Sequence, residues 1–183
     1  ISNIDSSSNK ILEVIDLQII YEKELFNKPV TFKVNPKDRI WIRGKNGCGK
    51  SSLIKLIIGE DINYTGCIDK AKNISYVSQD TFYLKGKIEE FFKERGIDEQ
   101  YLKSSLNKLG FNDTQFEKNI ETWSEGQKKK LLIAASLCER AELYIWDEPL
   151  NYLDVFNHQQ LEALILSVKP AMLVIEHDAH FMK

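Results

Sequence analysis

The sequence predicts an α/β domain in which parallel strands end in polar residues along one edge of a sheet. Three observations predict this class. A glycine-rich loop at Gly44–Ser52 stands between a strand-like and a helix-like segment. Four apolar segments lead into polar residues, and residues 80–122 show helical periodicity without strand signals. Since ligands bind beyond the carboxyl ends of parallel strands, a functional site is expected at that edge.

The loop itself fits the phosphate-binding pattern of Gly, four residues, Gly-Lys and then Ser or Thr. Its glycines let main-chain N–H groups surround a β-phosphate, and the next helix directs its N-terminus at the same anion. Lys50 would add charge between the β- and γ-phosphates, the Ser51 hydroxyl would bind Mg²⁺, and Ser52 would reach the α-phosphate. The residues predicted to bind a nucleotide here are Gly44, Asn46, Gly47, Cys48, Gly49, Lys50, Ser51 and Ser52.

The surroundings of the loop favour this interpretation over a chance match in a glycine turn. A short buried strand is predicted at Arg39–Arg43 and a helix at Leu53–Ile58, which Gly59 ends. Earlier in the chain, residues 1–10 are rich in Ser and Asn and are predicted to be a linker. β-Branched residues predict strands of a small, partly antiparallel sheet at 11–20 and 30–34.

Later elements follow from periodicity and from turn residues. Tyr64-Thr65-Gly66 predicts a turn, and Ile74–Ser78 predicts a strand that ends in Gln79. Ser124 and Gln127 have the spacing of a capping box, which opens a helix to about Arg140. The other predicted elements are helices at Ile88–Arg95 and Tyr101–Leu109, ended by Gly96 and Gly110, a helix near Phe156–Val168, and strands at Leu143–Trp146 and Ala171–Ile175.

The composition predicts one domain, and its charge does not mark it as a nucleic-acid binder. The 183 residues are enough for one core, and 25 basic against 27 acidic residues give a formal charge of -2. The longest basic run, Lys128–Lys130, predicts a solvated helix face rather than an RNA patch. Three unevenly spaced cysteines predict reduced thiols in a cytoplasmic protein, and neither a signal peptide nor a membrane-spanning run is visible. The start at Ile1 suggests a piece of a longer polypeptide.

The polar residues at the strand ends suit phosphoryl transfer to water. Asp147 would hold the Mg²⁺ shell, and Glu148 would face the γ-phosphate and activate the attacking water. A plain helix N-cap is the alternative for this pair, but the apolar strand before it and Pro149 after it favour function. Gln79 would contact Mg²⁺ and the water, or be an ordinary polar residue at a strand end. His177 would donate to the γ-phosphate.

Tyr21 precedes the loop and would either stack on adenine or be an ordinary surface tyrosine.

Taken together and in order, these motifs resemble the nucleotide-binding domain of an ABC ATPase. The set comprises Gly44–Ser52, Gln79, Trp123–Gln127, Leu143–Glu148, Asp154 and His177. The resemblance implies a P-loop NTPase (RecA-like) core, residues 11–79 and 123–183, with an antiparallel β subdomain and a helical subdomain at 80–122. It also implies that two such domains sandwich two ATP molecules with Mg²⁺, and that each site joins one domain's loop to the other's signature.

Position by position, the resemblance adds roles to those argued above. Tyr21 falls where the family's adenine-stacking aromatic lies, and Gln79 is the Q-loop residue. Ser124 and Gly126, with Gln127 in the same signature, would cap the γ-phosphate of the partner's ATP. Asp154 would be the D-loop acid. The catalytic residues implied are Glu148, His177 and Gln79, and those implied for the metal are Ser51, Gln79 and Asp147.

Two departures from the family pattern stand out. The usual signature begins Leu-Ser-Gly-Gly, whereas Trp123 and Glu125 replace the leucine and the first glycine here. A carboxylate at that place repels a γ-phosphate unless it points away. The run Leu150–Asp154 differs from transporter versions and is similar to that of ABC-F proteins.

Three functions remain open at this stage. The resemblance is strongest to ABC-F antibiotic-resistance proteins, which act on the large ribosomal subunit against lincosamides, pleuromutilins and streptogramin A compounds. On that hypothesis, the chain is one domain, the second, of a tandem ATPase that binds ribosomal RNA. The alternatives are the ATP-binding subunit of a membrane transporter and a non-catalytic interaction domain.

Overall fold

The computed structural model describes residues 10–45 and 47–176, with the side chain of Phe156 excepted. Its strands are β1 Leu12–Ile19, β2 Val30–Val34, β3 Arg39–Arg43, β4 Tyr64–Asp69, β5 Ile74–Val77, β6 Leu143–Asp147 and β7 Met172–Glu176. Its helices are α1 Lys50–Ile58, α2 Ile88–Arg95, α3 Glu99–Lys108, α4 Asp113–Phe116, α5 Glu125–Cys138 and α6 Val155–Val168, with a 3-10 turn at Ile120–Thr122.

One sheet is antiparallel, with β1 between β2 and β4. The predicted strands at 11–20 and 30–34 are confirmed, but the predicted turn at Tyr64–Gly66 is wrong because these residues begin β4. Gly66 lies at a β-bulge rather than in a turn. Its φ is 89°, and a Cβ there would lie 2.3 Å from the carbonyl oxygen of Asp16. Only glycine permits such close approach of two strands.

The other sheet is parallel, in the order β3-β7-β6-β5. In this register Arg43 lies opposite Glu176, Asp147 opposite Ile175, and Val77 opposite Trp146. The strand ends that the sequence marked with polar residues therefore lie side by side, as predicted. The apolar residues of β3 are partly exposed rather than buried, because within the part of the chain that the structure describes β3 is an edge strand that pairs only with β7.

Side chains of the parallel sheet alternate between two apolar clusters, which makes the sheet the middle layer. Leu143, Ile145 and Leu173 pack with α1 and with β1 of the antiparallel sheet. Tyr144 and Trp146 face the other way and pack with the helices between residues 88 and 138. This alternation is the two-residue period of a strand that is buried on both faces.

Helices occupy the predicted insertion, and α2 has the predicted bounds. Gly96 ends α2 with a φ of 62°, as expected of a C-terminal glycine. The α5 helix begins after Ser124 as predicted and ends at Cys138, two residues before Arg140. The division of the chain into a core and a separate helical subdomain at 80–122 stays a prediction.

The prediction of a solvated face for Lys128–Lys130 is wrong for two of the three residues. Lys128 is 9 % exposed and Lys129 is 0 % exposed. The sequence pattern misled for Lys129 because lysine is rarely fully buried unless its ammonium finds acceptors, and its acceptors, the carbonyl oxygens of Ser78 and Gln79, come from a distant segment. Within the described residues, Cys48, Cys67 and Cys138 are free thiols, and no helix is long and apolar enough to cross a membrane.

Candidate functional site

The glycine-rich loop leads from β3 into α1 in a shape that only glycine allows. Gly49 caps α1 with a φ of 95°, and a Cβ there would lie 2.6 Å from a ring carbon of Phe26. Gly47 also has a positive φ, 77°. Without side chains in the way, the first N–H groups of α1 are accessible to an anion at the positive end of the helix dipole.

Lys50 closes the loop on itself. Its ammonium is nearly buried and donates to the carbonyl oxygens of Gly44 at 2.5 Å and of Lys45 at 3.0 Å. Its Nζ also lies 3.8 Å from the Cys48 sulfur. These contacts hold a positive charge at the concave side of the loop, where an arriving phosphate would meet it.

A cleft of about 360 Å³ lies over the loop, within the usual range for small-molecule sites. It is lined by Leu25, Gly47, Gly49, Lys50, Ser51, Ser52 and Gln79. The structure thus gathers Gln79 with the predicted loop residues. Leu25 was missed by sequence reasoning, because nothing local distinguishes it from an ordinary apolar residue between strands.

Tyr21 lies beside this cleft. Its hydroxyl donates to the Ser52 hydroxyl at 3.0 Å, and 56 % of the residue is exposed. The contact places Tyr21 at the same helix end as the loop. Its stacking on adenine stays a prediction.

Gln79 and Glu148 meet across neighbouring strands. The Gln79 amide donates to Glu148 Oε2 at 3.1 Å, and the Asn151 amide donates to the same oxygen. Glu148 is 3 % exposed and has a φ of 50°, which is uncommon for a residue with a side chain. Its N–H donates to Ile175 of β7 at 2.9 Å, which holds this conformation in place. Asp147, just before it, is nearly buried at the end of β6.

A buried acid that the prediction did not include, Glu176, ends β7 next to these groups. Burial raises the pKa of its carboxyl to about 7, and the nearby charge of Glu148 adds to this. The N–H of Leu150 donates to it at 3.1 Å and opposes the rise. Burial lowers the pKa of Lys129, while Asp147, Glu148 and Glu176 oppose that shift. Glu176 could have been found from its place at a strand end.

The signature residues lie at the start of α5, and the predicted capping box is present. The Gln127 N–H donates to Ser124 Oγ at 3.2 Å, and the Ser124 N–H donates to Gln127 Oε1 at 2.9 Å. A Cβ on Gly126 would lie 2.7 Å from the carbonyl oxygen of Tyr152, so only glycine fits there. The Gln127 side chain thus serves the cap, and its contact with nucleotide stays a prediction.

Glu125, the departure from the usual signature, is bound on both carboxylate oxygens. Thr81 donates its hydroxyl to one oxygen, and Lys128 Nζ lies 3.2 Å from the other. These two hydrogen bonds, that from Thr81 first, lower the pKa of the carboxyl.

Asp154 caps α6 by accepting from the Asn157 N–H at 2.8 Å, so it has a structural role in the chain as described. Its contact with nucleotide stays a prediction. The predicted residues Asn46 and His177 lie outside the described residues.

The sequence profile of the family described as "ABC transporter" matches residues 27–151, which contain the loop, Gln79, the signature and Glu148. The chain belongs to this family. It is therefore an ABC ATP-binding domain, and the resemblance seen in its motifs is confirmed.

Curated relatives match nearly all of the chain. It is 31% identical to the ATP-binding protein Uup of Buchnera aphidicola (100% of this chain, 33% of the relative). It is 26% identical to the ribosome protection protein VmlR of Bacillus subtilis (100% and 34%) and 30% identical to the probable ATP-binding protein YheS of Escherichia coli K12 (98% and 29%). The chain thus spans about a third of the length of these relatives.

Solved structures confirm the ABC ATPase fold. A putative ABC transporter ATP-binding protein from Pyrococcus furiosus aligns with a TM-score of 0.78 at 20% identity (93% of this chain, 92% of that chain). A bacterial Atm1-family ABC exporter with ATP bound aligns with a TM-score of 0.79 at 16% identity (96% and 35%).

Replacing Lys50 tests the loop. We expect Lys50→Ala to weaken binding of ATP·Mg²⁺ by about 10- to 100-fold, as loss of hydrogen bonds to a charged group predicts. Titration with a fluorescent ATP analogue measures this, with Lys55→Ala on the exposed side of α1 as the matched control. Circular dichroism should show an intact fold; an unfolded variant would mean that Lys50 is structural.

Glu176 predicts a pH dependence of stability. Its folded pKa of about 7 lies above the ordinary value of 4.5, so the folded state binds the proton more tightly than the unfolded state. This contribution to the free energy of unfolding is full below pH 4.5 and is lost as the pH rises through about 7. In the nucleotide-free chain, we expect Glu176→Gln to remove this change in the free energy of unfolding between pH 4.5 and about 7, as measured by urea denaturation. Glu117→Gln, at an exposed position, should leave the pH dependence unchanged. An unchanged slope in Glu176→Gln would contradict the assignment.

Proposed function

We propose that this domain binds ATP with Mg²⁺ and hydrolyses it when a second ABC domain closes over the loop. The observation that carries the proposal is the contact between Gln79 and Glu148, which joins two strand ends beside the cleft over the phosphate loop. A carboxylate held there would act on a water at the γ-phosphate. The pairing is required because the signature residues belong to α5 and do not line this cleft.

Each site residue then has a defined task. The loop amides and Lys50 bind the phosphates. Glu148 accepts a proton from the attacking water, and Gln79 orients both the water and the Glu148 carboxylate. The hydroxyl of Ser51, the amide oxygen of Gln79 and the carboxylate of Asp147 are oxygen ligands of the kind that Mg²⁺ prefers. Bound there, Mg²⁺ would neutralise charge on the β- and γ-phosphate oxygens.

The contribution to the partner's site comes from the start of α5. Ser124 and Gly126, at the positive end of α5, would contact the γ-phosphate of the partner's ATP. His177 would donate to the γ-phosphate in this domain's own site, as the family resemblance implies.

For the whole protein, we propose an ABC-F ATPase that acts on the large ribosomal subunit and protects it from lincosamide, pleuromutilin or streptogramin A antibiotics. Support comes from the run Asp147–Asp154, which is similar to that of ABC-F proteins, and from the relative named as a ribosome protection protein. The relatives are about three times as long as this chain, which favours a second domain in the same polypeptide over a second copy of the chain.

A second candidate is the ATP-binding subunit of a membrane transporter. Phe82 and Tyr83 follow Gln79 and are 83 % and 45 % exposed, which is unusual for two adjacent aromatic rings. In the transporter, these two rings would contact the membrane subunit. A permease encoded beside the gene would favour this candidate, and a second ATPase domain in the same polypeptide would favour ABC-F.

Replacing Glu148 tests the enzyme. We expect Glu148→Gln to lower ATP turnover of the intact protein by about 10²- to 10⁴-fold while ATP still binds, because an amide cannot accept the proton. Steady-state phosphate release measures it, and Glu142→Gln, an exposed residue at the opposite end of β6 from Glu148, is the matched control. Unchanged turnover in Glu148→Gln would refute the catalytic role.

Sedimentation tests the ribosomal role. We expect the intact Glu148→Gln protein to sediment with ribosomes in the presence of ATP, because ATP that is not hydrolysed keeps the paired domains closed. Without ATP, and for Lys50→Ala with ATP, the protein should stay in the supernatant. Equal sedimentation under all conditions, or none under any, would contradict ATP-dependent ribosome binding.

A further inference from the structure

Side chains of α5 bind the segment that carries Gln79. We call residues Trp123–Gln127 the signature turn and residues Ser78–Thr81 the Gln79 segment. We propose that Glu125 and Lys129 are positioning residues that tie the signature turn to the Gln79 segment, so that the two ATP sites of the paired protein are coupled through this chain. The proposal rests on the proposed function, since it needs a partner's ATP at the signature turn.

The first tie joins Thr81 to Glu125. Thr81 is 5 % exposed, and its hydroxyl donates to Glu125 Oε2. The other oxygen of the carboxylate faces Lys128 at 3.2 Å. Hydrogen bonds to a charged acceptor are stronger than those between neutral groups. Glu125 therefore has a defined orientation, although it lies in the first turn of a helix at the surface.

The second tie joins Lys129 to the main chain of the same segment. Its Nζ donates to the carbonyl oxygens of Ser78 at 3.0 Å and Gln79 at 3.1 Å, and the residue is 0 % exposed. Glu125 and Lys129 are four residues apart, so they project from the same face of α5. One face of α5 thus contacts both a side chain and the backbone of the Gln79 segment.

Through these ties, the signature turn is connected to the contact between Gln79 and Glu148. The side chain of Gln79 donates to Glu148, while the carbonyl of Gln79 accepts from Lys129. A shift of the first turn of α5 therefore moves the backbone from which the Gln79 side chain extends. ATP bound at the signature turn in one site would in this way adjust the Gln79–Glu148 contact in the other.

The first tie also explains why a glutamate is tolerated in the signature. A free carboxylate next to Ser124 would repel the γ-phosphate that Ser124 is proposed to contact. With both oxygens of Glu125 engaged by Thr81 and Lys128, the negative charge is held on the side of the Gln79 segment.

The test uses Thr81, whose hydroxyl can be removed with little change of shape. In the intact protein, we expect Thr81→Val to lower kcat about tenfold with little change in KM, because the loop still binds ATP but the closed site is misaligned. Thr81→Ser should restore kcat, since it keeps the donor. Thr65→Val, on exposed β4, is the matched control and should behave as the unmodified protein.

A double-mutant comparison separates the tie from a packing role. In a Glu125→Gly background, Thr81→Val should have no further effect, because its acceptor is gone. An equal loss of kcat with and without Glu125, or no loss in either, would overturn the proposal. If Glu148→Gln abolishes turnover in the same assays, the proposed function stands whatever the Thr81 variants show; if it does not, the proposed function itself fails.

Cooperativity between the sites gives a second readout. We expect Lys129→Met to reduce the Hill coefficient for ATP towards one, because the backbone tie is lost. Lys130→Met, the next residue of α5, removes the same charge without a contact to the Gln79 segment and should leave the coefficient unchanged. An unchanged coefficient in a folded Lys129→Met protein would overturn the coupling. If that variant does not fold, the Thr81 series decides.

Discussion

The parallel register of β3, β7, β6 and β5 is the constraint on which the site depends. Each strand brings a different polar group to the same edge, and hydrogen bonds between neighbouring strands fix their relative heights. A slip of one residue would turn every side chain of a strand to the opposite face. Because both faces of this sheet are covered by apolar clusters, such a slip would exchange side chains of different size between the two clusters and would move the polar groups at the strand ends out of line.

The site at this edge combines a loop that requires glycine with a glutamate whose backbone is strained. The loop shape depends on Gly49, where any side chain would collide with Phe26. The positive φ of Glu148 costs on the order of 1–3 kcal/mol, and hydrogen bonds from Gln79 and Asn151 fix its carboxylate. Strain held in place by surrounding contacts is typical of residues whose orientation matters more than their local stability.

Buried charge is concentrated behind the site. Asp147, Glu148 and Glu176 are all nearly buried, and their charges oppose the lowering of the pKa that burial causes in the fully buried Lys129. Burial of an unpaired ion costs several kcal/mol, so these groups stabilise one another only in the assembled fold. The helix that carries Lys129 also carries the signature residues, which links the charged interior to the surface where a second domain is expected.

Local signals were strong enough to predict most elements and the loop. Strand bounds at Val30–Val34 and Arg39–Arg43 and the bounds of α2 follow from short-range periodicity and turn residues, and the capping box follows from the spacing of Ser124 and Gln127. The prediction of a turn at Tyr64–Gly66 was wrong because glycine is required at position 66 by the close approach of a neighbouring strand and not by a turn.

By itself, then, the sequence determined the order of the elements, the phosphate-binding loop and the residues at the strand ends, because each of these is encoded by neighbours in the chain. Only the tertiary structure decided that Gln79 contacts Glu148, that Thr81 binds Glu125 and that Lys129 is buried against the Gln79 segment. The physical reason is that these contacts join residues 44 to 69 positions apart, and their geometry is set by how strands and helices pack rather than by any local pattern.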